Sequence, residues 1–164
     1  MIRHTMRALC AASLLIAPLA LSTPAQAATT CTVNGTSVTG TTINGTAGAD
    51  YISCATVASG DTVNGQGGDD YIVITTGDLN GTVIGNAGRD YILVEQGVVN
   101  GTAGGGNDAD YINVNNRVSS TGRIFGDLGN DYLRVNINQN VVNGGLGVDV
   151  CRVTSGNPPV GCEA

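Results

Sequence analysis

Six aspartates set the frame of this chain: Asp50, Asp70, Asp90, Asp110, Asp131 and Asp149 follow one another at intervals of 20, 20, 20, 21 and 18 residues. Tyr51, Tyr71, Tyr91, Tyr111 and Tyr132 follow the first five, and Val150 follows the last. Gly45, Gly65, Gly85, Gly105, Gly126 and Gly144 stand five residues before each aspartate. Gly48, Gly68, Gly88, Gly129 and Gly147 stand two before, with Asp108 as the exception. A period near 20 means coils stacked on one another, because a single repeat of that size cannot bury an apolar face alone. Within each repeat the pattern has period two. Ile52/Cys54, Ile72/Ile74, Ile92/Val94, Ile112/Val114, Leu133/Val135 and Cys151/Val153 form an inward set, and Ile43, Val63, Val83, Ala103, Ile124 and Val142 form a second. Such alternation, with glycine at regular corners, excludes helix. The expected fold is all-β: a parallel β-roll or solenoid of about 20 residues per coil, with two short strands per coil. It is thin, with two sheets back to back. Residues 44–153 carry the repeats, the Pro/Gly-rich stretch 154–164 caps them, and the segment before residue 40 reads as a half-formed first coil.

Residues 1–27 read as an export leader rather than fold. Arg3 and Arg7 precede the apolar run Ala8–Leu21, and Ala25–Ala27 supply the small residues of a cleavage site. The run is short for a membrane span, and no later one follows. The expected mature chain, 28–164, is one secreted, extracellular domain. It has five arginines, no lysine and no histidine against all 13 acidic residues, a formal charge of −8. That surface disfavours nucleic acid and attracts cations.

In a stack, the aspartates form one column at strand spacing, about 4.8 Å. Like charges that close repel by roughly 1 kcal/mol in water and more where water is excluded. A divalent cation between successive carboxylates removes the repulsion, and calcium, which accepts irregular oxygen cages, suits it best. The corner words "GTAGAD", "GQGGDD", "GNAGRD" and "GDLGND" resemble the glycine- and aspartate-rich nonapeptide of hemolysin-type (RTX-like) calcium-binding β-roll proteins. The resemblance implies Ca2+ ions held between stacked corners, with Asp50, Asp70, Asp90, Asp110, Asp131 and Asp149 as ligands and folding driven by the metal. Here the motif comes once per 20 residues, so one edge alone would carry ions, and Thr46, Gln66, Asn86 and Asp127 replace the second glycine of the family's opening doublet. The alternative is that the aspartates cap turns by local hydrogen bonds.

Four cysteines remain in the mature chain. Five coils of separation, roughly 24 Å, are too far for a disulfide, whose Cα atoms lie within about 7 Å. Of the three connectivities, only Cys31–Cys54 and Cys151–Cys162 stay local, one staple at each end. Tyr51, Tyr71, Tyr91, Tyr111 and Tyr132 point outward by alternation. They read either as a stacked stiffener or as a stripe binding polysaccharide or a cell-surface partner. Thr42, Thr62, Thr82 and Thr102 form a row that β-propensity explains. With no His or Lys and with scattered arginines, a lyase-like or other enzyme is disfavoured. The expected function is calcium binding without catalysis, with a carbohydrate- or surface-binding module as the alternative.

Overall fold

A computed structural model describes residues 27–163. The expected leader therefore lies outside the described residues, save its last alanine. The chain opens with β1 (Thr29–Val33) and β2 (Thr36–Gly40). Six coils follow: β3 (Thr42–Asn44) with β4 (Tyr51–Cys54), β5 (Thr62–Gly67) with β6 (Tyr71–Ile74), and β7 (Thr82–Ala87) with β8 (Tyr91–Val94) and β9 (Val98–Val99). Then come β10 (Thr102–Asn107) with β11 (Tyr111–Val118), β12 (Arg123–Leu128) with β13 (Tyr132–Asn138), and β14 (Val141–Leu146) with β15 (Val150–Gly156). The second strands of the coils make one sheet, in the order β15-β13-β11-β8-β6-β4-β1-β2, and the first strands make the other, β14-β12-β10-β7-β5-β3. The pairings between coils are parallel, and in register apart from one break between β11 and β13, so that Tyr51 sits against Tyr71, Ile52 against Ile72 and Thr62 against Thr82. The parallel solenoid expected from the repeat is the observed architecture.

The inward columns meet in one core. Ile43, Val63, Val83, Ala103 and Ile124 from one sheet face Ile52, Ile72, Ile92, Ile112 and Leu133 from the other, all fully buried. The period-two reading does not reach a further inward row, Val57, Leu79, Val99 and Val118, which is also fully buried. Single bridges tie Val57 to Leu79 and Leu79 to Val99, and β9 pairs with the end of β11. Val57 and Leu79 stand outside any strand, Val99 closes the two-residue β9 and Val118 ends β11, so alternation had no run to detect. The coil is thus closed by a third, very narrow ladder as well as two sheets.

The start of the chain departs from expectation. Residues 29–40 are not part of a coil: β1 runs antiparallel to both β2 and β4. The cause is local. Asn34 and Gly35 both have positive φ, 50° and 80°, the backbone of a tight two-residue hairpin turn, which Asn-Gly strongly favours. The hairpin lies across the exposed end of the stack and is tied there by Asp61, whose carboxylate accepts the Thr29 N–H at 2.8 Å and the Thr29 hydroxyl at 2.7 Å.

Both disulfides join the expected partners, Cys31–Cys54 with Cα atoms 4.2 Å apart and Cys151–Cys162 with Cα atoms 5.8 Å apart. The first crosslinks the hairpin to the first coil. Replacing Cys31 and Cys54 together by serine is expected to lower stability by about 3 kcal/mol, from restored chain entropy over the loop between them. Urea unfolding of the variant beside the parent measures it; equal midpoints would show the staple to be redundant.

Candidate functional site: the aspartate column

Alternation decides where the aspartates point. In each Asp-Tyr-Ile the isoleucine is buried and the tyrosine turns out, so the aspartate turns in. All six are buried, between 0 and 4% exposed. The stack brings them into a single file of hydrogen bonds. The Asp50 N–H donates to Oδ1 of Asp70 at 2.8 Å, Asp70 to Asp90 at 2.8 Å, Asp90 to Asp110 at 2.7 Å, Asp110 to Asp131 at 2.8 Å and Asp131 to Asp149 at 2.8 Å. Each carboxylate therefore serves the coil before it, which differs from a cap of its own turn.

Two residues that sequence reasoning passed over complete the file. At the first end the Asn34 side-chain amide donates to Asp50 Oδ1, while Asn34 Oδ1 accepts the Tyr51 N–H at 2.9 Å. At the last end Glu163 accepts the Asp149 N–H. Asn34 and Glu163 thus occupy the places of an aspartate one coil before and one coil after the repeats. Neither lies in a recognisable repeat, so no spacing pointed to them.

The second carboxylate oxygen behaves differently. Oδ2 of Asp70, Asp90, Asp110, Asp131 and Asp149 is buried with no hydrogen-bond donor. Asp50 is the exception, since Thr46 donates to its Oδ2 from both its N–H and its hydroxyl. The corners differ accordingly. The residues matching Thr46 in the next coils, Gln66, Asn86, Gly106, Asp127 and Gly145, all have left-handed backbones, with φ of 78°, 80°, 119°, 75° and 113°. Thr46 does not, and it alone turns its N–H to the carboxylate.

The glycine five residues before each aspartate is explained by the same oxygen. A methyl group on Gly65 would collide with Asp70 Oδ2 and lie 2.7 Å from the Gly85 carbonyl oxygen. One on Gly85 would collide with Asp90 Oδ2 and lie 2.7 Å from the Gly105 carbonyl oxygen. Glycine is required by the oxygens packed against its Cα. These positions also show two acceptors, a carboxylate oxygen and a carbonyl of the next coil, converging on one spot that no donor serves.

Such a row is electrostatically costly. Burial pushes the carboxyl of Asp70 up to about 6, Asp90 to about 7 and Asp110 to about 8, the neighbouring carboxylates add to the rise, and the N–H each accepts offsets part of it. Burial raises Asp131 as well. At Asp50 burial also acts upward, but the Thr46 N–H, the Asn34 amide and the Thr46 hydroxyl together hold the carboxyl below its usual range. Among the described residues no three His, Cys, Asp or Glu side chains converge on one point. A cation here would be held by column carboxylates in pairs, with backbone carbonyls completing its oxygen shell.

The tyrosines form the expected outward ladder. Successive ring centroids are 5.4, 4.9, 4.8 and 4.9 Å apart, with planes within 10° of parallel. Rings at this spacing cover each other's faces, and the guanidinium of Arg152 sits 5.8 Å from the last, Tyr132. A sugar needs a free ring face to stack on, and the ladder presents edges and hydroxyls instead. Beside the column, Asp69 accepts the Arg89 N–H at 2.9 Å.

Compared with protein-family models, with curated proteins and with solved structures, the chain has no match. No helix among the described residues is long and apolar enough to cross a membrane.

Proposed function

We propose that this chain is an exported, non-enzymatic β-solenoid whose aspartate column takes up divalent cations, calcium above all, and that cation occupancy sets the stability of the stack. One observation carries the reading: five buried carboxylate oxygens lack any donor, and at four of them, those of Asp70, Asp90, Asp131 and Asp149, a glycine carbonyl further along the stack faces the same spot. Buried acceptors without a donor cost about 1–3 kcal/mol each, and more when charged. A row of them calls for positive charge. Asp70, Asp90, Asp110, Asp131 and Asp149 would hold the ions, with glycine carbonyls of adjacent coils. When bound, calcium supplies the charge that neutralises the carboxylates and lets them stay ionised.

The dimensions favour calcium over magnesium. The tyrosine rings mark a coil rise of 4.8–4.9 Å, about twice a calcium–oxygen distance. Magnesium demands shorter bonds, about 2.0–2.1 Å, and near-octahedral order. Two disulfides fit an oxidising, extracellular setting. The tyrosine ladder, its faces covered, reads as a stiffener of the sheet rather than as a glycan platform.

Calcium titration of the mature chain by calorimetry, with melting followed by circular dichroism, tests the proposal. Several ions per chain and a melting temperature that rises with calcium are expected. No heat of binding, together with identical melting in calcium and in chelator, would sink it.

A further inference from the structure

The outward column beside the tyrosines changes character along the stack. In register it reads Ser53, Val73, Leu93, Asn113, Arg134 and Arg152. Two of the mature chain's five arginines therefore stand side by side on adjacent strands, about 4.8 Å apart, on a protein that is otherwise strongly acidic. The neighbours they meet are neutral: Arg134 donates to Asn113 Oδ1 at 3.4 Å, and Arg152 lies over the Tyr132 ring. Next to them is a groove of about 190 Å3, lined by Val114, Asn115, Arg134, Asn136 and Thr154. Its cause is a break in register between β11 and β13, where Asn115 and Asn116 stand against Asn136 alone. A bulge of this kind bends a strand and re-aims its side chains.

We infer that this groove binds a carboxylate-bearing saccharide, with Arg134 in the groove taking the carboxylate, Arg152 on the next strand adding positive charge beside it, and Asn115, Asn136 and Thr154 taking ring hydroxyls. A guanidinium such as that of Arg134 matches a carboxylate's two oxygens in geometry as well as charge. Side-chain amides and a hydroxyl both donate and accept, as sugar hydroxyls require. The volume is below that of drug-sized pockets, so the groove takes one ring of a longer chain lying across an open sheet face. The lining is almost wholly polar, which suits a sugar better than an apolar peptide side chain.

The test is calorimetric titration of the mature chain, in calcium, with tetragalacturonate and with neutral maltotetraose. Binding of the acidic oligosaccharide alone is expected, weakening as salt is raised. The double variant Arg134→Ala/Arg152→Ala should lose roughly tenfold or more in affinity, while Arg123→Ala, which removes one positive charge from the opposite sheet, should bind as the parent does. Both arginines are exposed, so circular dichroism should show each variant folded. No binding at millimolar tetragalacturonate, equal binding of the neutral sugar, or equal losses in Arg123→Ala and the double variant would each overturn the inference. Failure of the cation reading shows separately, as melting indifferent to calcium, and leaves this titration intact.

Discussion

Gly85→Ala is expected to destabilise the chain by about 4 kcal/mol, beyond the usual cost of overpacking, while Gly48→Ala changes stability by less than about 0.5 kcal/mol. Both glycines belong to the repeated corner, and neither has positive φ, so backbone strain does not separate them. What separates them is space. A methyl on Gly85 runs into Asp90 Oδ2 and lies 2.7 Å from the Gly105 carbonyl, whereas one on Gly48 meets nothing within 4 Å. Relief by a side-chain rotation is blocked, because Asp90 Oδ1 is held by the Asp70 N–H. Relief by a backbone shift is blocked too, because Gly105 lies between residues paired in register on both sides, to β7 and to β12. Chemical denaturation of the two variants measures the difference. Equal midpoints would mean that the column carboxylates move freely and do not define the corner.

The fold was legible because the information is repeated. Six aspartates at intervals near 20, five of them followed by tyrosine and an aliphatic residue, identify a stack, the direction of each side chain and the pairing of the cysteines, since a stack has a length that a disulfide cannot span. Features that occur once were harder to see. The Asn34-Gly35 turn carries a clear hairpin signal, but its flanking stretches, rich in Thr and Val like the coils, also fit a partial first coil. Asn34 and Glu163 close the column from outside the repeats, one at each end, and no spacing points to either. The left-handed backbones of Gln66, Asn86 and Asp127 show a different limit. Their substitution for glycine reads as a loss of the special corner, yet the corner keeps its shape. A left-handed backbone costs a non-glycine residue about 1–2 kcal/mol, which the surrounding ladders offset. The arginine pair became visible as a pair only when the register placed residues 18 apart side by side; along the sequence it looks like two scattered charges.

In chelator, stability is expected to fall as pH rises from about 4 to about 8, and saturating calcium should flatten that slope. The ordinary value for these carboxyls is 3.8, and in the fold Asp70, Asp90 and Asp110 lie near 6, 7 and 8 because they are buried beside one another. Below pH 4 both folded and unfolded chains hold these protons, so nothing is lost. Above it the unfolded chain releases protons that the folded column keeps. Folding then takes up protons, and each such carboxyl costs about 1.4 kcal/mol of stability per pH unit until its folded value is passed. Asp50, held low by Thr46 and Asn34, works in the opposite sense: its contribution is present above the ordinary value and is lost as pH falls through its lowered one. Calcium binds the ionised column and displaces the protons, which removes the penalty at high pH. Asp90→Asn separates a cation column from a proton column. The asparagine keeps an oxygen for the Asp70 N–H and offers an amide donor where Oδ2 had none. In chelator at pH 8 it should therefore stabilise the chain by about 2 kcal/mol, since an uncompensated buried charge has been removed. In calcium the same change should destabilise and lower the stoichiometry, because a ligand has been lost. Thermal melts of parent and variant, with calcium and with chelator at pH 5 and pH 8, give the sign in each condition. If the variant is the more stable in all of them, the column holds protons and not ions.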